Sequence, residues 1–513
     1  MGTKRVKPVF LCCLFLALPF SPLRAQSSWF PEITPGSQVS RSPETAWNPD
    51  DDTLDAFTNR QTAAAAGPGE DRPLRLVELI ALGLRRNPDS LRAWENARAD
   101  AARLGEANAP YYPKVTFNAQ VGQNNSVNND ETTYTPTTRQ FSYGPQLAVT
   151  WLLLDFGSRG YGKDAARQTL IASNFQFNRA LQDTILAVET AYYNLDSART
   201  QLKAREDNLK VARATQESVG IQMKTGLASI TQLLQAQQAV AQAVYDLESA
   251  NAALTTAQAN MAKSVGLPAN AALKVEPPAG DPPLKELDAT VNGMIEEALV
   301  RRPDVASKFA IFRSRLASAS QARRNILPQI TGNLNLQRNY FDQSYRGGEG
   351  ASADPDGHTD NFAGSFVLSV DLFDGFLKWN KAREARAEAE AARQQLVAYE
   401  IAAIADVWNS YYNYKTAMKQ LEAGRELVGA SEKSFNATSI GYKSGLNSIV
   451  DLLAQQNNLS SARLTFIQAR TSLFLASANL AYATGVLAPP DAGAIGPVNP
   501  SAENTGEEKG DAQ

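Results

Sequence analysis

Four stretches of the chain alternate between apolar and polar side chains: residues 115–121, 141–153, 330–337 and 362–372. A period of two places successive side chains on opposite faces of a β-strand. Runs of about ten residues with this period match a strand that crosses a membrane, but they also match half-buried hairpins of a soluble protein. The segments between the members of each pair, 122–140 and 338–361, are rich in Gly, Asn, Asp and Thr. The pattern therefore predicts two hairpins.

Most of the remaining chain has the apolar spacing of long helices. Apolar residues recur at every seventh position in two series, namely Leu181, Val188, Leu195, Leu202 and Leu209, and then Val407, Tyr414, Leu421 and Val428. This heptad spacing, together with abundant alanine, is typical of a coiled coil. Residues 163 to 225 contain no proline, so a helix there would be on the order of 90 Å long. After a turn at Gly226-Leu227, a second helical pattern runs from 232 to 266. Gly226, and Gly445 in the second series, are expected to adopt a positive φ.

The same succession of elements occurs twice. Asn87-Pro88-Asp89 returns as Arg302-Pro303-Asp304 at a spacing of 215. At a spacing of 219, Asp155, Tyr192-Tyr193, Gly226-Leu227 and Gly266 return as Asp374, Tyr411-Tyr412, Gly445-Leu446 and Gly485. Two constant offsets indicate one duplicated unit with a longer loop in the second repeat. Each unit is predicted to contain one helix that ends near Pro113 or Pro328, two strands, a very long helix, a tight turn and a helix.

The first 25 residues have the pattern of a cleaved secretory signal. Lys4, Arg5 and Lys7 precede an apolar run, which is followed by Ser21-Pro22-Leu23-Arg24-Ala25, with cleavage expected near Ala25. Both cysteines, Cys12 and Cys13, lie in that run, so the mature chain would have no thiol. A lipid anchor on Cys13 is the alternative, which the large residues before it disfavour. The expected segments are the signal peptide 1–25, an N-terminal extension 26–72, the repeats 73–283 and 284–487, and a flexible C-terminal tail 488–513.

An export signal favours membrane-crossing strands, as do aromatic residues near the strand ends (Tyr143, Trp151 and Phe373). Four strands alone would leave edge amides and carbonyls unpaired in hydrocarbon, so closure must come from other chains. Three copies would supply 12 strands, an even number within the known range. The predicted fold class is mainly α with a membrane β-barrel contribution, in which the long helices of a trimer form a tunnel. The net charge of -3 gives no reason to expect nucleic acid binding.

Residues 72–488 resemble the TolC-like outer-membrane factor family. The resemblance rests on the duplication, the two Pro-Asp elements described above, and four further motifs: Leu154-Asp155-Phe156-Gly157, Phe373-Asp374-Gly375-Phe376, Lys224-Thr225-Gly226-Leu227 and Lys443-Ser444-Gly445-Leu446. It implies a homotrimer in outer-membrane lipid with its helical tunnel in the periplasm. It also implies a periplasmic adaptor that docks on the turns at Gly226-Leu227 and Gly445-Leu446, an inner-membrane pump that supplies the energy, and no cofactor.

The resemblance also implies a closed pore entrance at these turns. Asp451 is similar to the acidic pore ring of the family, and Tyr442 to its tip tyrosine. Gln232 stands where an Asp is common, Asn447 where the best-known member has an Arg, and Ala454 where a second ring Asp can occur. Neutral groups therefore replace the family's charged clasp. In a trimer, repulsion among three Asp451 side chains would raise their pKa; the alternative is that Asp451 is an ordinary solvated helix residue.

Two function classes remain open from the sequence, a passive exit duct of an efflux pump or type I secretion system and a non-channel coiled-coil scaffold of the cell envelope. An enzyme is a third and weaker hypothesis, because the sequence shows no nucleophile, phosphate loop or metal cluster, and His358 stands alone in a Gly/Asp-rich loop. Catalytic, cofactor and metal sites are therefore not expected. Asp155 and Asp374 are predicted to be helix N-caps, and the tyrosine pairs are predicted to pack in the seams.

Overall fold

The computed structural model describes residues 72–126, 137–271, 273–280, 290–346 and 356–487. The expected signal peptide with both cysteines, nearly all of the N-terminal extension, the C-terminal tail and the expected repeat boundary at residue 284 lie outside the described residues.

Each repeat contributes four α-helices to the described structure. In the first repeat they are α1 (Leu76–Arg86), α2 (Pro88–Asn108), α3 (Ser158–Lys224) and α4 (Ile230–Ser264). In the second they are α5 (Val291–Arg301), α6 (Pro303–Arg324), α7 (Leu377–Lys443) and α8 (Ile449–Ala483). The long helices α3 and α7 both have 67 residues, and the return helices α4 and α8 both have 35. A helix of 67 residues is about 100 Å long, which confirms the predicted long helices.

The strands form one antiparallel sheet in the order β1-β2-β3-β4. Their bounds are Lys114–Ser126, Thr137–Leu154, Gln329–Arg346 and Asp356–Ser369. The predicted alternation is confirmed, because Phe117 pairs with Leu147 on one face while the Asn118 amide donates to Gln146 Oε1 (3.4 Å) on the other. All four strands are longer than predicted. The fourth nevertheless ends at Ser369, so residues 370–372, which were predicted to belong to it, lie outside the sheet.

The single helix predicted before each hairpin is wrong, because the chain forms two helices there. The break falls at Asn87 and at Arg302, both of which have extended ψ angles (123° and 120°). Each precedes a proline, whose ring disfavours helical geometry in the residue before it and which suits the first position of a new helix. The Asn87 side chain accepts a hydrogen bond from the N–H of Asp89 at 2.9 Å and so caps α2.

The two junctions also hold the ends of the return helices. The Asn87 amide donates to the carbonyl of Ser264 at the end of α4 (3.2 Å), and the Arg302 guanidinium donates to the carbonyl of Ala483 at the end of α8 (3.4 Å). Ser264 and Ala483 are counterparts in the duplication, at the larger of the two spacings. The Pro-Asp motifs therefore have an equivalent structural role in both repeats: they join two short helices and bind the last turn of a return helix.

The predicted N-cap positions of Asp155 and Asp374 are wrong by two positions. Gly157 and Phe376 are the N-caps of α3 and α7, both with positive φ (90° and 64°). Asp155 still accepts a hydrogen bond from the N–H of Arg159 at 2.6 Å, and Asp374 accepts one from the N–H of Lys378 at 2.9 Å. The carboxylates therefore bind first-turn amides from outside the helix, which satisfies the same unpaired donors that an N-cap would satisfy.

The core of the first repeat lies where α1, α3 and α4 meet. Leu79, Val188, Leu195 and Met261 are at most 1% exposed there. In the second repeat the heptad residues Val407 and Leu421 are fully buried, as the periodicity predicts. Of the tyrosine pairs, Tyr192 is buried and Tyr193 stacks on Phe474 with ring centroids 4.5 Å apart, whereas Tyr412 is 44% exposed. The prediction that the tyrosine pairs pack in the seams between helices therefore fits Tyr192-Tyr193 better than Tyr411-Tyr412.

Arg302→Ala should lower the stability of the fold by about 2 to 3 kcal/mol, because it removes the two guanidinium hydrogen bonds to the mostly buried Asp304 carboxylate. Arg302 is 3% exposed and binds Asp304 through two hydrogen bonds of 3.1 and 2.7 Å. Burial would raise the pKa of Asp304, but the bonds from Arg302 and the charge of Arg179 outweigh it and hold that pKa below its ordinary value. The folded pKa is thus below the unfolded one, so the stabilisation is present at neutral pH and is lost as the pH falls below about 4.

The midpoint of thermal unfolding, followed by helical circular dichroism in detergent, measures this effect. Wild type and Arg302→Ala should differ at pH 7, and the difference should shrink at pH 3. Equal midpoints at pH 7 would contradict a stabilising role for the pair.

Candidate functional site at the two helix turns

Both long helices end in the same turn, where the sequence places the candidate site. Gly226 and Gly445 have φ angles of 77° and 78°, which confirms the prediction from the sequence. The N–H of Gly226 donates to the carbonyl three residues back (3.0 Å), and the N–H of Leu227 donates to the carbonyl five residues back (2.7 Å). Gly445 and Leu446 make the same two bonds at 3.1 and 2.7 Å. This hydrogen-bond pattern requires a left-handed residue, which glycine adopts without strain.

The leucine after each glycine is exposed to solvent. Leu227 is 80% exposed and Leu446 is 83% exposed. The hydrophobic residue at this position of such a turn frequently packs back onto its own helix, and these two leave most of their surface free. Each turn therefore presents one apolar side chain at the end of a hairpin of two helices.

The return helices begin with capping boxes, which the sequence analysis missed. The Ser229 hydroxyl accepts from the N–H of Gln232 (3.3 Å) while the Gln232 side chain accepts from the N–H of Ser229 (2.8 Å). Ser448 and Asp451 do the same, at 3.2 and 3.0 Å. The signal was present in the sequence, since Ser-x-x-Gln and Ser-x-x-Asp precede apolar runs. Gln232 and Asp451 thus hold equivalent positions, and both satisfy backbone amides at a helix start.

Asp451 is exposed, and its local contacts favour the charged form. Hydrogen bonds from the hydroxyl and then the backbone N–H of Ser448 hold its pKa below the ordinary value. This direction is opposite to the one expected from repulsion among three Asp451 side chains, which only an assembled trimer would create. Capping and a place at a pore entrance are compatible, because an exposed carboxylate can bind its own helix start and still face solvent.

Tyr442 lies between the two helical hairpins, which are α3 with α4 and α7 with α8. Its hydroxyl donates to Gln222 Oε1 of α3 at 2.7 Å, and burial raises its pKa. Beneath this bond Val219, Ile449 and Leu452 pack together and are at most 5% exposed. The structure therefore joins the ends of the two hairpins through a hydrogen bond and a small apolar cluster.

Asn447 makes its contacts inside its own hairpin. Its amide nitrogen lies 3.4 Å from the carbonyl of Thr438, and a methyl group added at Gly441 would approach that nitrogen to 2.5 Å. Asn447 therefore fills the space beside Gly441. The contact between Tyr442 and Gln222, which joins the two helical hairpins, is between neutral groups.

Among the described residues, no group of three or more His, Cys, Asp or Glu side chains is arranged to hold a metal ion. No described helix combines the length and the apolar character that a membrane span requires. The eight predicted site residues lie together at two equivalent turns, at the joined ends of the two helical hairpins.

Comparison with known proteins agrees with this architecture. The family described as "Outer membrane efflux protein" matches residues 79–267 and 294–486, one segment in each repeat. Protein CyaE of Bordetella pertussis is 27% identical over 402 residues, which is 77% of this chain and 81% of CyaE. The outer membrane protein TolC of Escherichia coli is 23% identical over 425 residues, covering 78% of this chain and 80% of TolC.

Among solved structures, the Campylobacter jejuni CmeC outer membrane channel superposes with a TM-score of 0.69 at 16% identity, covering 80% of this chain and 85% of CmeC. The fold is thus that of an outer-membrane channel with a long helical body. The family match extends over most of both repeats, and its two segments contain both candidate turns. The chain therefore belongs to the outer membrane efflux protein family.

Proposed function

We propose that three copies of this chain form a passive exit duct in the outer membrane, for an efflux pump or a secretion system. The observation that carries the proposal is the open sheet. In the described residues β1 and β4 are edge strands, and the apolar face of the sheet is exposed: Phe117, Phe362 and Phe366 are 69%, 73% and 81% accessible. If three sheets close into a barrel of 12 strands in lipid, the edge strands pair with one another and the apolar face contacts the lipid.

The helices support the proposal that the duct continues from the membrane into the periplasm. The long helices follow the second strand of each hairpin and extend for about 100 Å, far enough to form a tunnel in the periplasm. In this proposal the joined hairpin ends close the tunnel, a periplasmic adaptor docks on the turns at Gly226-Leu227 and Gly445-Leu446, and an inner-membrane pump supplies the energy. The exposed leucines of both turns are the apolar contacts that such an adaptor would cover.

Conductance in planar lipid bilayers tests the duct against the envelope scaffold. The mature chain, purified in mild detergent, should run as a trimer and insert as a cation-preferring channel of low basal conductance. A scaffold would give no conductance. A monodisperse monomer that remains stable without detergent would rule out the barrel.

Asp451→Asn should reduce the cation preference of the channel and weaken its block by multivalent cations. The carboxylates of three copies would give the entrance a negative potential, and asparagine removes the charge while keeping an oxygen that can accept from the N–H of Ser448. Basal closure should change little, because the hairpins are joined by Tyr442 and the cluster beneath it. Single-channel recording at low salt measures the selectivity. Unchanged selectivity would show that Asp451 lies outside the pore.

A further inference from the structure

On the apolar face of the sheet, side chains of neighbouring strands form rows that cross the strands. One row, which is apolar, consists of Phe117, Leu147, Leu336 and Phe362. Further from the helices, a second row contains Tyr143, Tyr340 and His358. The rings of Tyr143 and Tyr340 stack with centroids 5.2 Å apart. Aromatic rows of this kind mark the level of the membrane interface in barrels, so the tyrosines lie at the outer edge of the apolar band.

An ion pair lies between the apolar row and the tyrosine row. Arg338 of β3 is directly opposite Asp360 of β4, and its guanidinium donates to both carboxylate oxygens, at 2.5 and 2.6 Å. Both side chains are half exposed or more. Two positions along a strand span about 7 Å, so the pair is about that far from either row. It therefore lies where lipid headgroups meet acyl chains, a depth at which charged side chains cost little.

A groove of about 390 Å³ opens on the same face beside the ion pair. The apolar row forms its walls, and Arg338 and Asp360 lie at its outer end. From β2 it is lined by Pro145, at a point where the register between the described strands β2 and β3 is interrupted. Proline has no N–H to donate to the ladder, and its compact ring leaves space beside Arg338. The groove thus has apolar walls and two opposite charges at one end.

We propose that this groove binds a membrane lipid whose headgroup carries both a phosphate and a primary ammonium group. An acyl chain lies along the apolar walls, the phosphate accepts hydrogen bonds from Arg338, and the ammonium donates to Asp360. The bonds between the two side chains use two of the five N–H donors of the guanidinium and two of about four acceptor positions of the carboxylate. Both groups therefore keep capacity for a ligand. The proposal rests on the proposed barrel, which places this face in lipid.

The charges around the groove favour a zwitterionic headgroup over an anionic one. Beyond the tyrosines, Asp342 and Asp356 lie opposite each other on the same face, and Arg139 follows on β2. With Arg338 and Asp360, this part of the face carries two positive and three negative side chains. A phosphate alone would add to the excess of negative charge, whereas an ammonium group offsets it. Side chains opposite each other on neighbouring strands have Cβ atoms about 5 Å apart, a spacing that suits a phosphate and an ammonium joined by two carbons.

Native mass spectrometry of the mature chain, purified in detergent and stripped of lipid, tests the headgroup. The probes are phosphatidylethanolamine, phosphatidylglycerol and phosphatidylcholine with identical acyl chains. Phosphatidylethanolamine should bind about tenfold more tightly than the other two. Phosphatidylglycerol has no cation for Asp360, and the methylated nitrogen of phosphatidylcholine has no N–H to donate. Equal affinities, or any other order, would overturn the proposal.

Neutralising the ion pair tests the position of the site. Arg338→Gln with Asp360→Asn removes both charges but keeps polar side chains of similar size, and it should bind phosphatidylethanolamine about tenfold more weakly than wild type. Arg139→Gln is the matched control, because it makes the same change to an arginine on the same face outside the groove. It should bind as wild type does. Wild-type affinity in the double variant, or an equal loss in Arg139→Gln, would place the lipid elsewhere.

Lipid affinity is measured independently of conductance, so the lipid site and the duct can fail separately. A trimer that conducts ions but binds the three lipids equally would refute the lipid site and leave the duct intact. A chain that remains a stable monomer without detergent would refute the barrel, and the lipid site with it.

Discussion

Gly266→Ala should destabilise the fold by about 3 kcal/mol. Gly266 ends the return helix α4 with a φ of 76°, and a methyl group there would approach the carbonyl oxygen of Arg86 to 2.6 Å. Two costs therefore add. The left-handed conformation costs a residue with a Cβ roughly 1 to 2 kcal/mol, and the clash involves backbone atoms at the junction of α1 and α2, which cannot rotate away. Asn87, which binds the end of α4 at the same junction, would have to move as well.

Gly226→Ala is the matched control. Gly226 has nearly the same φ, 77°, and the same pair of turn hydrogen bonds, but nothing lies within 4 Å of its added methyl group. Only the conformational cost remains, roughly 1 to 2 kcal/mol. Thermal unfolding followed by helical circular dichroism in detergent should rank wild type above Gly226→Ala, and Gly226→Ala well above Gly266→Ala. Equal midpoints for the two alanine variants would show that the close approach at Arg86 has no energetic consequence.

Gly445→Val should lower export roughly tenfold. This is the change expected if the free energy of adaptor docking weakens by about 1.4 kcal/mol. The φ of 78° at Gly445 is strained for any residue with a Cβ and most strained for a β-branched one. The turn would relax to another conformation and displace Leu446, whose exposed side chain is part of the proposed adaptor contact. Folding should be largely preserved, because nothing lies within 4 Å of an added Cβ.

Gly445→Asn separates backbone strain from the loss of a glycine. Asparagine tolerates the left-handed region better than other residues with a Cβ, so this variant should keep most of the export. Export of a substrate of the cognate pump is measured in cells in which immunoblotting shows equal trimer in the outer membrane. Normal export by Gly445→Val at full expression would mean that the adaptor docks elsewhere.

Features that depend on local pattern could be predicted from the sequence. Period-two alternation gave the four strands, although it extended the last one past Ser369. Heptad spacing gave the long helices and the buried residues Val188, Leu195 and Val407. Glycine followed by leucine after a long helical pattern gave both turns and their positive φ. Each of these follows from the geometry of a few neighbouring residues, which is why a single sequence is sufficient.

Some local signals were present and were given the wrong weight. The prolines at 88 and 303 mark helix starts, yet one continuous helix was predicted across each of them. The serines at 229 and 448 mark capping boxes, and they give Gln232 and Asp451 a structural role that the resemblance to a family of channels does not reveal. In both cases the signal is a short-range backbone rule that the longer periodic patterns do not contain.

The sequence by itself determined the duplication, the type of each element and the left-handed turns, because these depend on local periodicity and on constant offsets. Only the tertiary structure decided which helix meets which. Tyr442 and Gln222 are 220 positions apart, and Arg470 and Asp196 are 274 apart. A heptad pattern fixes the face that a helix buries but not the partner that buries it, since many alanine-rich faces fit one another equally well. The polar bonds that select the partner form only when the helices are already packed side by side.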